Sequence, residues 1–268
     1  MQTAKIANNR YMLLSASEIV SAAENNPKWM RHQESVQRGN GAIGTALFLQ
    51  RAATGDNSLV AQSDAFLSEI EDQVPMSRGW RNVDDVVGAI PNVPAFLAGH
   101  PQHMRRRVRT MLETAPLTVY MDLSSSMGIK PDMILRRGVT LLALVRMLVE
   151  HRPVELWVGS SLGGSGVTAT TAWRIDTTPL DLARAAFHIS DTSMSRLFGY
   201  AMCEQQVDMH LGSFGDTKID NLKQIAGWHD VLHIPPINYY DPMVKDPIGW
   251  LNQVMADQVS VKEEEEEA

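Results

Sequence analysis

The stretch V-Y-M-D-L-S-S-S-M-G, residues 119–128, decides how the rest of the chain is read. An apolar, partly β-branched run, PLTVYMDL (116–123), ends on Asp122 and meets Ser124, Ser125 and Ser126 at once. Such a run has the texture of a buried strand. Consecutive hydroxyls straight after a strand do little for packing, but they suit a turn that holds something polar. Beyond the turn, MILRRGVTLLALVRMLVEH (133–151) sets leucines, valines and methionines at helical spacing. The unit is strand, polar turn, helix, with an acid at the strand's exit.

Outward from this unit the pattern alternates. VELWVGS and GVTATTAWRID read as strands around SLGGSG, a glycine-rich hairpin connection. TPLDLARAAFHIS and SMSRLFGYAMCEQ read as helices, VDMHLGSFGD as a strand, and KIDNLKQIAG as a helix. DVLHIPPI is a further strand and DPIGWLNQVMADQ a closing helix. Strands alternating with helices predict an α/β domain over residues 116–260, with a doubly wound, mostly parallel sheet covered on both faces. In such sheets ligands sit just past the carboxyl ends of strands, which is where Asp122 falls. Residues 1–115 read instead as a helical extension. SASEIVSAAENN carries the capping-box pair Ser15 and Glu18, and GAIGTALFLQRAATG closes on Gly55. SLVAQSDAFLSEIEDQVP is a further helix, and residues 82–112 are short helical pieces broken by Pro91, Pro94 and Pro101.

The bulk numbers bound the function. The chain has 268 residues, of which 44% are hydrophobic and 21% charged, as in ordinary globular proteins. No window approaches the roughly 18 apolar residues of a membrane span, and the N-terminus lacks the apolar core of a secretory signal. A cytoplasmic protein is expected. The net charge is −7, but five of those charges are the run Glu263–Glu267, which leaves −2 for the remainder. Residues 261–268 are therefore expected to be a disordered acidic tail, either a solubilising end or a partner-recruiting one. With Cys203 alone there is no disulfide framework and no thiolate zinc site. Neither a phosphate-binding G-x-x-x-x-G-K-[ST] loop nor H-E-x-x-H nor G-x-S-x-G occurs, so a binding protein is expected rather than an enzyme.

Asp122, Ser124 and Ser126 are spaced by two, so in an extended turn their oxygens converge on one point. A carboxylate with hydroxyls suits a hard cation, Mg²⁺ or Mn²⁺. The same side chains would equally cap the following helix. With D-L-S-S-S-M-G in this position, the chain resembles a von Willebrand factor A-type domain, whose metal-ion-dependent adhesion site opens with D-x-S-x-S. The resemblance implies two further ligands, a threonine before a later helix and an aspartate after a later strand. By chain order these fall on Thr192 and Asp216. It also implies a cation-dependent adaptor that captures a partner's carboxylate, in some relatives beside a ring-shaped ATPase. Two other segments, GAIPNVPAFLAGHPQHMRRR and RRGVTLLALVRMLVEHRPVELWVG, resemble an uncharacterised protein family of phages and prophages, which would place the protein in the host cytoplasm.

The densest basic cluster is HMRRRVR (103–109), supplying Arg105, Arg106, Arg107 and Arg109, with Arg136 and Arg137 at the start of the next helix. Arginine forks match phosphate oxygens, and such contacts dominate nucleic-acid affinity. Trp29, Trp80 and Phe96 offer rings for stacking on unpaired bases, although aromatics are as often core. Read together with the acidic tail, these features describe a phage accessory protein that binds single-stranded DNA and brings a partner to it, such as an RNA polymerase. This transcription-cofactor reading and the cation-dependent adaptor are the two expectations carried forward.

Overall fold

The computed structural model describes residues 1–29, 42–61, 80–87, 90–109, 116–126, 128–149, 151–177, 180–207 and 211–260. Its strands are β1 (Gln2–Ile6), β2 (Asn9–Ser15), β3 (Trp80–Asp85), β4 (Ile90–Pro91), β5 (Met104–Arg109), β6 (Leu117–Asp122), β7 (Val154–Gly164), β8 (Val167–Ile175), β9 (Ser213–Phe214) and β10 (Asp230–Ile234). The helices are α1 (Ile19–Glu24), α2 (Thr45–Thr54), α3 (Val93–Leu97), α4 (Pro131–Val149), α5 (Leu182–Ser190), α6 (Gly199–Gln205), α7 (Ile219–Ala226), α8 (Pro242–Lys245) and α9 (Pro247–Ser260). A π-helical turn, Met194–Phe198, runs directly into α6.

The main sheet runs β1-β2-β8-β7-β6-β10, with the short β9 paired to β7. The fold is α/β, but the sheet is mixed where a mostly parallel one was expected. The β2–β8, β6–β7 and β6–β10 pairs are parallel, whereas β1–β2, β7–β8 and β7–β9 are antiparallel. Two tight hairpins account for the β1–β2 and β7–β8 pairs. In the second, the glycine-rich run is not a loop: the ladder continues to Gly164 opposite Val167, and only Ser165 and Gly166 turn. Both take positive φ, 49° and 76°, the signature of a turn whose twist matches its strands.

Among the described residues of 1–115, strands stand beside the expected helices. β2 pairs in parallel with β8, from Asn9 opposite Thr168 to Ser15 opposite Arg174, so the N-terminal hairpin is part of the sheet. Within residues 80–109, β3, β5 and β4 form a second, antiparallel sheet. The expected helical elements at 19–24, 45–54 and 93–97 are present. Ser15 does cap: its N–H and hydroxyl both donate to Glu18 Oε2, at 2.8 and 3.0 Å. The helix expected over 58–75 and the acidic tail lie outside the described residues, apart from residues 58–61.

Strand alternation divides the core between the two faces of the sheet. Met12 and Leu14 of β2, with Leu117, Val119 and Met121 of β6, pack under α1, α2, α4, α5, α6 and α9. Tyr11, Leu13 and Tyr120 point the other way, onto Leu222 of α7 and Trp228. Trp29 is buried, its ring 4.8 Å from Phe48, and Phe48 stacks 6.0 Å from Phe198. Trp29 is thus a core residue and offers no stacking surface for a base. α4 and α5 approach so closely at Gly138 that an added Cβ would lie 2.9 Å from the Ser190 Cα. Gly138→Ala is expected to cost about 1–3 kcal/mol through overpacking, seen as a lower urea midpoint at unchanged m-value. No described helix is long and apolar enough to cross a membrane.

Candidate functional site

β6 lies between β7, reached through α4, and β10, reached from the far end of the domain. The carboxyl end of β6 is therefore the place where the strand order reverses, the position that open α/β sheets use for ligands. Asp122 ends β6 there, and it is wholly buried.

Its carboxylate is engaged on both oxygens. Oδ1 accepts the Ser124 N–H at 2.8 Å, a local turn of the kind Asp favours, and Oδ2 accepts a short hydrogen bond from the Thr217 hydroxyl. Ser124 Oγ clamps the neighbouring strand, accepting the Ser161 N–H at 2.9 Å and donating to the Ser161 carbonyl at 3.3 Å. Ser161 Oγ lies 2.5 Å from Thr217 Oγ1 and 2.7 Å from Thr170 Oγ1. A hydroxyl chain thus crosses β6, β7 and β8 in the sheet interior. Burial raises the Asp122 carboxyl above its ordinary range, and the bonds from Ser124 and Thr217 pull it back only in part. Nearby, burial also pushes the Tyr120 phenol well up and the Cys203 thiol up to about 12, so the lone cysteine is an inert core residue.

Arg137 is built into the same end of the sheet. Its guanidinium donates to the Asp122 carbonyl at 2.9 Å and to the Pro235 carbonyl, and pairs with Asp241 at 2.9 Å. It is 2% exposed. Arg137 therefore ties the loops after β6 and β10 to α8, and it is not available to phosphates as the sequence reading expected. Arg136, its neighbour, is exposed. Arg196, equally buried, holds the serine turn by donating to the carbonyls of Ser126 and Ile129. Tyr239 closes over the turn, since a Cβ on Gly128 would run into its hydroxyl.

The five expected metal ligands do not converge. Asp122 and Ser124 meet, but they saturate one another and their neighbours. Ser126 lies at the exposed edge of the turn, its Oγ accepting the Gly128 N–H at 3.1 Å. Thr192 is buried at the approach to the π-helical turn, where its carbonyl accepts the Ser195 hydroxyl at 3.1 Å. Asp216 is 82% exposed and pairs with Lys218 at 2.7 Å. It is the next residue, Thr217, that turns inward and reaches Asp122. Among the described residues no group of three or more His, Cys, Asp and Glu could hold a metal ion. Ser161, Thr170 and Thr217 were missed in the sequence, although the paired hydroxyls S-S at 160–161 and T-T at 170–171 in adjoining strands are a readable sign of a buried polar chain.

The basic cluster sits elsewhere, on the second sheet. β5 is the central strand there, flanked by β3 and β4. By alternation, positions 105, 107 and 109 fall on one face and position 106 on the other. Arg106 is 57% exposed and pairs with Asp85 at 2.6 Å. Asn92 caps α3, its side chain accepting the Ala95 N–H. The helix thereby presents Val93, Phe96 and Leu97 to solvent, with Phe96 61% exposed. The Phe96 ring lies 5.2 Å from His103, edge to face, at the entry to β5.

The architecture defines a mixed-sheet α/β protein carrying a small second sheet. Residues 2–231 match the family described as domain of unknown function DUF7192, and the chain belongs to that family. The match runs from β1 into β10, taking in both sheets. No curated protein and no solved structure matches the chain.

Proposed function

We propose that the protein binds single-stranded nucleic acid through its second sheet and delivers it to a protein partner such as an RNA polymerase. The observation that carries this reading is the ring pair of exposed Phe96 and half-buried His103 at the entry to the arginine-bearing strand β5. An exposed aromatic beside several cations is what a single strand requires: bases stack on rings while phosphates meet guanidinium groups. A core would have buried Phe96, and simple solubility does not call for Val93, Phe96 and Leu97 on the surface together. Arg105, Arg107 and Arg109, which share one face of β5, supply the phosphate contacts in this reading, with Arg136 as an exposed accessory; Arg106, on the other face and paired with Asp85, and Arg137 leave the set. The main α/β body, of von Willebrand factor A type in this reading, acts as the scaffold. The cation-dependent adaptor has D-x-S-x-S at a strand exit in its favour. It also requires the Asp216 carboxylate beside Asp122, where Thr217 stands instead.

Fluorescence anisotropy of a labelled single-stranded oligonucleotide tests the proposal. Phe96→Ala should weaken binding about tenfold or more, the loss of one base stack. Arg105→Ala, Arg107→Ala and Arg109→Ala together should flatten the salt dependence by a slope of about 2. Binding that is absent, or that ignores both salt and these substitutions, would overturn it.

A further inference from the structure

A second candidate site lies far from the arginine strand in sequence, where the β1–β2 hairpin meets the end of α6. A cavity of about 460 Å³ opens there, lined by Thr3, Lys5, Arg10, Met12, Gln205 and Gln206 among others. That volume is within the range of small-molecule sites, roughly 300–1,000 Å³.

Its polar groups are left unsatisfied in a particular way. Lys5 and Arg10 stand directly opposite each other across the hairpin, an arrangement of like charges that destabilises an antiparallel pair. A lysine on an edge strand is a common guard against strand addition, and β1 is the edge of the sheet. That accounts for Lys5 but not for Arg10, because β2 is paired on both sides, to β1 and to β8. No carboxylate among the described residues forms an ion pair with either cation. Arg10 Nη1 is buried with no hydrogen-bond partner. Across the cavity, Gln206 spends its amide nitrogen on the sheet, donating to Thr171 Oγ1 at 2.8 Å and to the Thr170 carbonyl at 3.2 Å. Its Oε1 is consequently turned away from those acceptors, and it too is buried without a partner.

We propose that this cavity is a binding site for a phosphate monoester. A guanidinium fork and a mobile ammonium from adjacent strands suit a doubly charged, multi-oxygen anion. The orphan Gln206 Oε1 accepts a hydroxyl from the ester's alcohol part. Two sources carry this chemistry: a free nucleotide and the 5′-phosphate end of a nucleic-acid strand. The site stands on its own residues and does not depend on β5.

Isothermal titration calorimetry on the full chain tests it with four probes: adenosine 5′-monophosphate, adenosine, and a thymidine dinucleotide with and without its 5′-phosphate. The phosphate-bearing members should bind and their partners should not. Lys5→Gln and Arg10→Gln should each weaken binding about tenfold or more, the loss of a charge-assisted contact. Binding of the mononucleotide identifies a small-molecule site, and binding of the phosphorylated dinucleotide alone identifies a strand-end site. Lys5 is exposed on an edge strand, so its variant reports on the site even if Arg10→Gln folds poorly. The proposal is overturned if neither phosphate-bearing probe binds, if the dephosphorylated forms bind as well, or if Lys5→Gln binds as the native chain does. Because Phe96→Ala leaves this cavity untouched, failure here and failure of the β5 surface are separable results.

Discussion

Arg137→Ala should lower the unfolding free energy by about 3–5 kcal/mol, the usual loss when one partner of a buried ion pair is removed. The reason is local. Asp241 is 5% exposed and would be left with only the Met243 N–H, at 2.9 Å, in place of the guanidinium. The carbonyls of Asp122 and Pro235 would lose their donors as well. Urea titration followed by circular dichroism measures the loss. Combining Arg137→Ala with Asp241→Asn should recover part of it, since the stranded charge is then gone. A loss under about 1 kcal/mol would mean that Arg137 is a peripheral cation after all, and would return it to the nucleic-acid set.

Asp122 gives the second large effect, and it is opposite for two substitutions. Asp122→Ala leaves the Ser124 N–H buried without an acceptor, at about 1–3 kcal/mol, and takes from the Thr217 hydroxyl its charged acceptor, leaving it Ser161 Oγ at 2.5 Å. Asp122→Asn keeps an acceptor for Ser124 and removes the charge. Burial raises the Asp122 carboxyl above its unfolded value of 3.8 in the folded protein. The folded state thus holds its proton more tightly, and stability from this group is present below pH 3.8 and is lost as pH rises through the folded value. The substituted amide cannot ionise, so the advantage of Asp122→Asn over the native protein should grow between about pH 4 and pH 7. Urea midpoints of both proteins at the two pH values decide this. An advantage that shrinks over the interval would show that the folded carboxyl is held low, as a cation ligand would be. In the same samples, Asp122→Asn should leave oligonucleotide binding unchanged.

The parts of this fold that were legible in the sequence are those with long, regular periodicity. β6, α4, the β7–β8 hairpin and the closing helix α9 fall where their apolar spacing places them. The N-terminal hairpin was not legible because its turn is Ala7–Asn8, with Ala7 at φ 51°, a conformation for which glycine, asparagine or aspartate is the usual sign. β5 was missed because R-R-R-V-R has a single apolar residue, and the prolines around it argue for broken helices. Within the site, Asp122 and Ser124 were marked by polar residues at the end of an apolar strand. Thr217 was not: a loop has no period, so nothing in G-D-T-K says which of two adjacent residues turns inward. The Arg136–Arg137 pair hides its answer differently. Adjacent residues of a helix point about 100° apart, so the two need not share a surface, and it is the packing against Asp241 that takes Arg137 inward.

The parallel pairing of β2 with β8 also sets an order of events. Asn9 and its neighbours are synthesised long before Thr168 and the rest of the strand they will lie against. Until β8 exists, the apolar run Tyr11–Leu14 has no seat, and contacts so distant along the chain are slow to form. The β1–β2 hairpin is thus expected to settle late. A fusion that holds the first fifteen residues away from the body would leave one side of β8 open and ready to take a strand from another molecule.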